Sequence, residues 1–432
     1  MILFDGKTYE SSEQERLLNE LENKIPEILA KEQLSPEIVI DAVDKLRIDT
    51  MAGKFDHLLT EFPKDIADSY KEQAATLLSR EHLHKKLETE LGVTEEYVTD
   101  PLKGFAQIRV KKVPLGVLFH ISAGNMDFLP AYSLAEGLLT GNINILKLPS
   151  ADNGLSLKLI MQLIEYRPEL KDYIYVFDTA STDIQGMRKM AELSNAVSVW
   201  GSDMAIEAVR GLAPTGVKII EWGQKLGFCY ISKLSEVEDA EGELDGLAKH
   251  IATTKQLLCS SCQVIYIDTE DEKELRTFAE SFLPRLEKAA NENATEEIGI
   301  RARDTLSSYT RRLKAYLGNE EVNENVLRGR GVSLILSKDS ELELSPMMCN
   351  VLIKPLPRAN ISKVLYQSRY HLQTAGLICP KEDRAGLTET FTRGGLIRVT
   401  KGADMSAYFP GECHDGEYAL SRYMRIVNVE EI

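Results

Sequence analysis

Several things are missing from this sequence, and each absence removes a class of protein. No apolar run approaches the roughly 20 residues that a membrane-spanning helix needs, so no span is expected. The first residues, MILFDGKTYESSEQERLL, hold no basic stretch followed by an apolar one, and no secretory signal is read there. Basic residues are in deficit: 51 Lys and Arg stand against 67 Asp and Glu, a formal net charge of -16. Without a basic excess to neutralise phosphates, broad nucleic-acid binding is not expected, and only a local basic pocket remains open. Cysteine is sparse, six in 432 residues and scattered, which is no disulfide framework and points to a reducing cytoplasm. There is no internal repeat, no low-complexity linker and no G-x-G-x-x-G, so the ordinary dinucleotide fingerprint is absent.

What is present reads as a large α/β protein. The length is too great for one ordinary core and implies two or three domains. Residues 10–98 are rich in Glu, Lys, Leu and Ala at helical spacing, with a Ser-x-x-Glu cap expected at Ser11 or Ser12. Another helix is expected from Ser35, with Pro36 in its first turn. From about 105 the texture changes. Strands are expected at 114–122, 142–149, 173–178, 196–201 and 216–222, with helical stretches between them. That alternation predicts right-handed βαβ units and a doubly wound, Rossmann-like sheet, whose ligands bind at the carboxyl ends of the strands. A second βα region follows, with strands at 263–268, 332–336, 350–356 and 374–379 and a long helical stretch around 271–316. In the tail, LIRVT and AYFPGECHDG read as strand-like and YALSRYMRIV as helical. The expected organisation is a helical segment over 1–104, a cofactor domain over 105–228, a catalytic domain over 229–400 and a C-terminal segment over 401–432.

Five segments place chemistry-bearing side chains at strand ends. In ILKLPS, Lys147 closes an apolar strand; an ammonium there can bind ribose hydroxyls or a phosphate, although many strands simply end in lysine. In VSVWGSD, Gly201 and Ser202 open a helix and can offer backbone N–H groups to a pyrophosphate, or form a plain cap. In HISAGNMDFLP, Asn125 lies between a strand and a helix, where its amide can donate to a developing oxyanion or merely turn the chain. In EWGQKLG, Glu221 ends a strand and is either a general base or a solvated acid. In KQLLCSSCQVIY, Cys259 stands between a helix and a strand, a credible nucleophile if local dipoles favour its thiolate. The Cys-x-x-Cys spacing has rivals. A zinc half-site would need two more close ligands, and Cys229, Cys349, Cys379 and Cys413 form no second short pair, so no metal is expected. A thioredoxin-like pair belongs at the first βα turn of a short domain, and two structural cysteines remain the plain alternative.

Taken in order, these segments resemble the aldehyde dehydrogenase superfamily. That family runs from a Pro-x-Gly-Val strand to an Asn-containing loop, then Gly-Asn-x-x-x-x-Lys-Pro, a Gly-Ser turn, Glu-x-Gly-Gly-Lys and a Gln-preceded Cys. Here the matches are PLGVLFHISAGN, GNINILKLPS, WGSD, EWGQKLG and QLLC, followed by YHLQTAGLIC. Closer still, CSS after the nucleophile, LSPEIVIDAV in the helical segment and the tail GADMSAYFPGECHDGEYALSRYMRIV resemble the LuxC-type acyl-CoA reductases, over nearly the whole chain.

The resemblance implies an aldehyde dehydrogenase-like α/β fold and reduction of an acyl thioester to an aldehyde, with Cys259 as nucleophile. It makes Asn125 and the Cys259 N–H oxyanion donors, Glu221 the acid/base group and Lys147 the ribose ligand, and it puts Gly201 and Ser202 near the cofactor phosphates. Ser150 takes a position where NAD-preferring relatives often hold an acid. A hydroxyl tolerates a 2′-phosphate, which favours NADPH, with NADH still open because Asp152 follows. Departures exist: Gln-x-Cys is Gln-x-x-Cys here, Glu-x-Gly-Gly is EWGQ, Lys-Pro is KLP, and the ribose-binding glutamate falls ambiguously on Glu341 or Glu343. The implied partners are an acyl-CoA or acyl-carrier donor, an acyl-protein synthetase or transferase, and further copies of the chain. Oxidative aldehyde dehydrogenase activity and a non-catalytic subunit of an acyl-transfer complex are the alternatives.

Overall fold

The computed structural model describes residues 1–60, 64–103, 106–122, 129–149, 154–293 and 325–430. The chain divides into two compact units, Met1–Gly223 with Phe409–Ile432, and Gln224–Tyr408.

The first unit opens on a hairpin, β1 (Ile2–Phe4) and β2 (Lys7–Tyr9). Its turn is Asp5-Gly6, both with positive φ (53° and 71°), the backbone a two-residue hairpin requires. No Ser11 or Ser12 cap forms. A single 3-10 turn, Ser11–Glu13, precedes the helix Gln14–Leu29, and the Ser11 hydroxyl instead donates to the Asp178 carboxylate at 2.7 Å. Ser35 does cap the helix Pro36–Met51, accepting from the Glu37 N–H at 3.3 Å.

The helical segment ends in strand. β3 (Glu95–Asp100) pairs antiparallel with β4 (Ala106–Pro114), whose other edge takes the tail Met424–Glu430. The tail therefore departs from the helical expectation. Only Ala419–Arg422 is helical, and MRIVNVE runs extended along β4 from Pro114 to Ile108. Conversely AYFPGECHDG is built of turns, with one isolated bridge between His414 and Glu417.

The main sheet of this unit contains β5 (Val117–Ile121), β6 (Ile143–Lys147), β7 (Ile174–Phe177), β8 (Ala196–Trp200) and β9 (Lys218–Trp222). These five are parallel, in the order β7-β6-β5-β8-β9, and the hairpin adds β1 antiparallel to β7. Burial is unbroken along β6 and β7, and the continuous apolar sequence of β7 fits a parallel sheet covered on both faces. The order reverses between β5 and β8, which defines the switch point where such sheets open onto ligands.

The second unit has its own sheet: β10 (Leu226–Ile231), β11 (Cys262–Ile267), β12 (Val326–Gly329), β13 (Val332–Leu336), β14 (Asn350–Pro355), β15 (Leu372–Ile378) and β16 (Arg398–Thr400). The order is β12-β13-β14-β11-β10-β15-β16, parallel except for β12. Residues 226–228 thus belong to an interior strand of this second sheet, between β11 and β15. The long helical stretch is a helix over Glu272–Glu292, and its continuation from 294 lies outside the described residues.

Candidate active site

In the second unit, Cys259 sits in a turn between the helix Ala240–Thr254 and β11, at the amino edge of the sheet. The helix ends with Lys255 and Gln256, both left-handed (φ 49° and 61°), a backbone state that costs a non-glycine residue of order 1–3 kcal/mol. Buried Gln256 holds that bend: its amide donates to the Cys262 carbonyl and to Ser345 Oγ, each at 2.9 Å. Gln263 Nε2 returns a hydrogen bond to the Gln256 carbonyl at 2.9 Å. Leu258 and Ser261 then close the turn, the Ser261 N–H donating to the Leu258 carbonyl and the Leu258 N–H to Ser261 Oγ. Ser260 Oγ meets Ser406 Oγ at 2.8 Å.

The turn lies directly on β10. A Cβ at Gly227 would come within 2.7 Å of the Ser261 carbonyl and 2.8 Å of the Ser260 carbonyl, so only glycine permits the approach. The result is an exposed Cys259 thiol on an anchored turn. Gln373, buried near the start of β15, donates from Nε2 to Cys259 Sγ at 3.0 Å. Cys262 is its opposite: burial pushes this thiol up to about 12. The Cys262 N–H donates to His250 Nε2 at 3.3 Å, and burial holds that imidazole down at about 4, so it accepts as a neutral ring.

In the first unit, Lys147 closes β6 at the carboxyl edge, beside Ile121 of β5 and Phe177 of β7. Its side chain is buried, and burial lowers its pKa. A half-desolvated cation at a strand end is a fitting host for hydroxyl or phosphate oxygens. Ser202 caps the helix Asp203–Leu212, accepting from the Ala205 N–H, and the Gly201 N–H donates to the Trp222 carbonyl. Trp200 and Trp222, the last residues of β8 and β9, stack at 5.2 Å with His414 against both rings. Glu221 is held by Arg210: both carboxylate oxygens accept from the guanidinium, Oε2 at 2.6 Å. A carboxylate gripped by two donors is less available as a base than a free strand-end acid.

Asn125 and Ser150, like Asp152, lie outside the described residues. Both candidate ribose acids are exposed, and Glu343 pairs with the buried Lys354 at 2.6 Å, which also binds Asp339. Gln373 was not singled out: it falls within YHLQTAGLIC, one residue before the strand expected at 374–379, and 114 residues from the thiol it touches. Among the described residues no three His, Cys, Asp or Glu side chains gather into a metal cluster, and no helix is long and apolar enough to cross a membrane.

Comparison with known proteins adds three findings. A family model described as acyl-CoA reductase (LuxC) matches residues 37–426. The chain is 22% identical over 368 residues to the long-chain acyl-protein thioester reductase of Vibrio harveyi, covering 83% of this chain and 72% of that protein. It is 23% identical over 371 residues to the enzyme of the same name from Aliivibrio fischeri, with the same coverage. Among solved structures it is similar to an aldehyde dehydrogenase from Physcomitrella patens in complex with succinate (TM-score 0.72, 12% identity, 98% of this chain and 91% of that one). It is also similar to an NADP-dependent glyceraldehyde-3-phosphate dehydrogenase from Bacillus halodurans complexed with NADP (TM-score 0.70, 16% identity, 99% and 98%). At such identities the structural likeness establishes an aldehyde dehydrogenase-like fold.

Proposed function

The chain belongs to the acyl-CoA reductase (LuxC) family, and from that premise we propose that it reduces a fatty acyl thioester to the aldehyde, with Cys259 carrying the acyl group. The observation that carries the reading is the exposed Cys259 thiol, on an anchored turn with an amide donor 3.0 Å from its sulfur. The thiolate attacks the donor carbonyl, the donor thiolate leaves, and an enzyme thioester remains. Asn125 and the Cys259 N–H receive the oxyanion of each tetrahedral intermediate; one such donor is typically worth roughly 3–4 kcal/mol.

A nicotinamide cofactor, NADPH in preference to NADH, supplies hydride when bound. Lys147, Ser150, Gly201 and Ser202 are the residues that would hold it, and the buried charge of Lys147 suits its oxygens. Because reduction consumes no water, Glu221 is not required to make a hydrolytic nucleophile, and its grip by Arg210 is consistent with that. The donor is an acyl-CoA or an acyl group handed over by a partner protein, a role supported by the relatives named acyl-protein thioester reductases. Delivery by a synthetase or transferase, assembly with further copies and a cytoplasmic setting complete the proposal.

The test is a product assay with acyl-CoAs of several chain lengths and both reduced cofactors. Aldehyde formation coupled to NADPH oxidation supports the reading. Aldehyde-dependent NAD(P)⁺ reduction without thioester reduction would replace it with an oxidative dehydrogenase.

A further inference from the structure

The sulfur of Cys259 has to be a good nucleophile once and a good leaving group once, and a donor aimed at it serves both. Gln373 is placed for this. Its side chain is buried at the second position of β15, so strand and packing fix its reach rather than a mobile loop. The main chain at that point is pinned, since the Gln373 carbonyl accepts from the Ile397 N–H at 3.1 Å. The orientation of the amide is also set. Thr374 Oγ1, itself buried, donates to Gln373 Oε1 at 3.3 Å, which leaves Nε2 as the end facing Cys259 Sγ at 3.0 Å. The sulfur in turn is held by the Gly227 contact and the Leu258–Ser261 turn. Both partners of this hydrogen bond are therefore preorganised.

We propose that Gln373 is a catalytic residue of the thioester chemistry: its side-chain N–H steadies the Cys259 sulfur as a thiolate, both as it attacks the donor and as it departs from the reduced intermediate. In the first step the sulfur lone pair forms the new C–S bond while the donor C–S bond breaks, its electron pair leaving on the donor sulfur. After hydride from the reduced nicotinamide has added to the enzyme thioester, the oxyanion re-forms its C=O bond. The C–S pair then returns to Cys259 Sγ and the aldehyde is released. A hydrogen bond to the charged form favours that form, so the same N–H raises the fraction of thiolate ready to attack near neutral pH and lowers the barrier to its departure. Acylated sulfur carries no charge and needs the donor least, so the interaction is strongest where charge sits on sulfur. The proposal rests on the reading of Cys259 as the acyl carrier.

The experiment is the pH–rate profile of iodoacetamide alkylation at Cys259, located by peptide mass spectrometry, in the full-length protein and in two near-isosteric variants. Gln373→Met removes the donor, and Gln373→Glu replaces it with an acceptor that is charged near neutrality. The expected result is an upward displacement of the thiol ionisation, by about one pH unit for Met and further for Glu. That means about tenfold less thiolate near neutral pH. Profiles that lose amplitude at every pH without a displaced midpoint would assign Gln373 a purely structural role and overturn the proposal, as would superimposable profiles. If the Met variant does not fold, Gln373→Leu, which also removes the donor and adds no charge, carries the same two outcomes. Alkylation needs neither acyl donor nor cofactor. A displaced midpoint in a protein that never becomes acylated would leave the thiolate contact standing and remove the reductase reading instead.

Discussion

Cys259 and Cys262 are three residues apart and differ in everything that makes a thiol reactive. One is exposed with an amide donor on its sulfur; the other is fully buried, with its thiol pushed up to about 12. Cys262→Ala should therefore leave acyl-enzyme formation intact, at a stability cost of roughly 1–2 kcal/mol for the small cavity, read as a lowered Tm. An acyl group located on Cys262 by mass spectrometry would overturn the assignment. Glu221 leads to a second expectation. Glu221→Gln should keep acyl-CoA reduction and change stability by less than about 1 kcal/mol, as for partly exposed ion pairs. Stopped-flow hydride transfer from preformed acyl-enzyme checks this, and an acylated variant unable to accept hydride would contradict it. At this scale the reading of Cys259 as nucleophile came from the resemblance, since the Cys-x-x-Cys pair alone reads as readily as two structural cysteines. The Arg210 grip on Glu221 was not legible: a salt bridge between a helix and a strand end leaves no spacing signal.

The nucleophile turn depends on one missing side chain. At Gly227 the atoms a Cβ would meet are backbone carbonyls of Ser260 and Ser261, which cannot swing aside as a flexible side chain would. Gly227→Ala should displace the turn, slow Cys259 acylation by tenfold or more, and destabilise by about 1–3 kcal/mol. Burst-phase acylation together with a denaturant melt measures both, and a variant with the native rate would show that the turn has slack. Among elements, the βα alternation could be read because helical and strand periods differ and each run is long. The tail could not. MRIVNVE is a strand only because β4 offers it an edge, and a preceding helical turn at Ala419–Arg422 extends the wrong period into it. The Asp5-Gly6 hairpin carried a usable turn signal, obscured by strands of three residues each.

Over the whole molecule, three buried histidines bias stability against acid. Burial holds His82, His120 and His250 at about 4, against an ordinary value of 6.5. Below about 6.5 the unfolded chain takes up protons that the folded chain refuses until about 4, so stability should fall continuously through that window. Denaturant melts from pH 7 to pH 5 should show this, with a shallower fall in His250→Gln. A stability that rises on acidification would contradict it. The general α/β architecture was written in the sequence, but the assignment of strands to two sheets was not. Residues 226–228 follow β9 after a gap of only three residues, and only pairing with β11 and β15 puts them in the second sheet.

In the proposed reaction Cys259 carries the acyl group and hydride removes it as aldehyde. Intact-protein mass spectrometry tests it most directly: the chain is loaded with an acyl-CoA in the absence of cofactor, and NADPH is then added. The account predicts one acyl adduct, on Cys259 and absent from Cys259→Ala, that disappears on NADPH addition with the release of one equivalent of aldehyde. An adduct that persists with both NADPH and NADH, or aldehyde formed by Cys259→Ala, would contradict it.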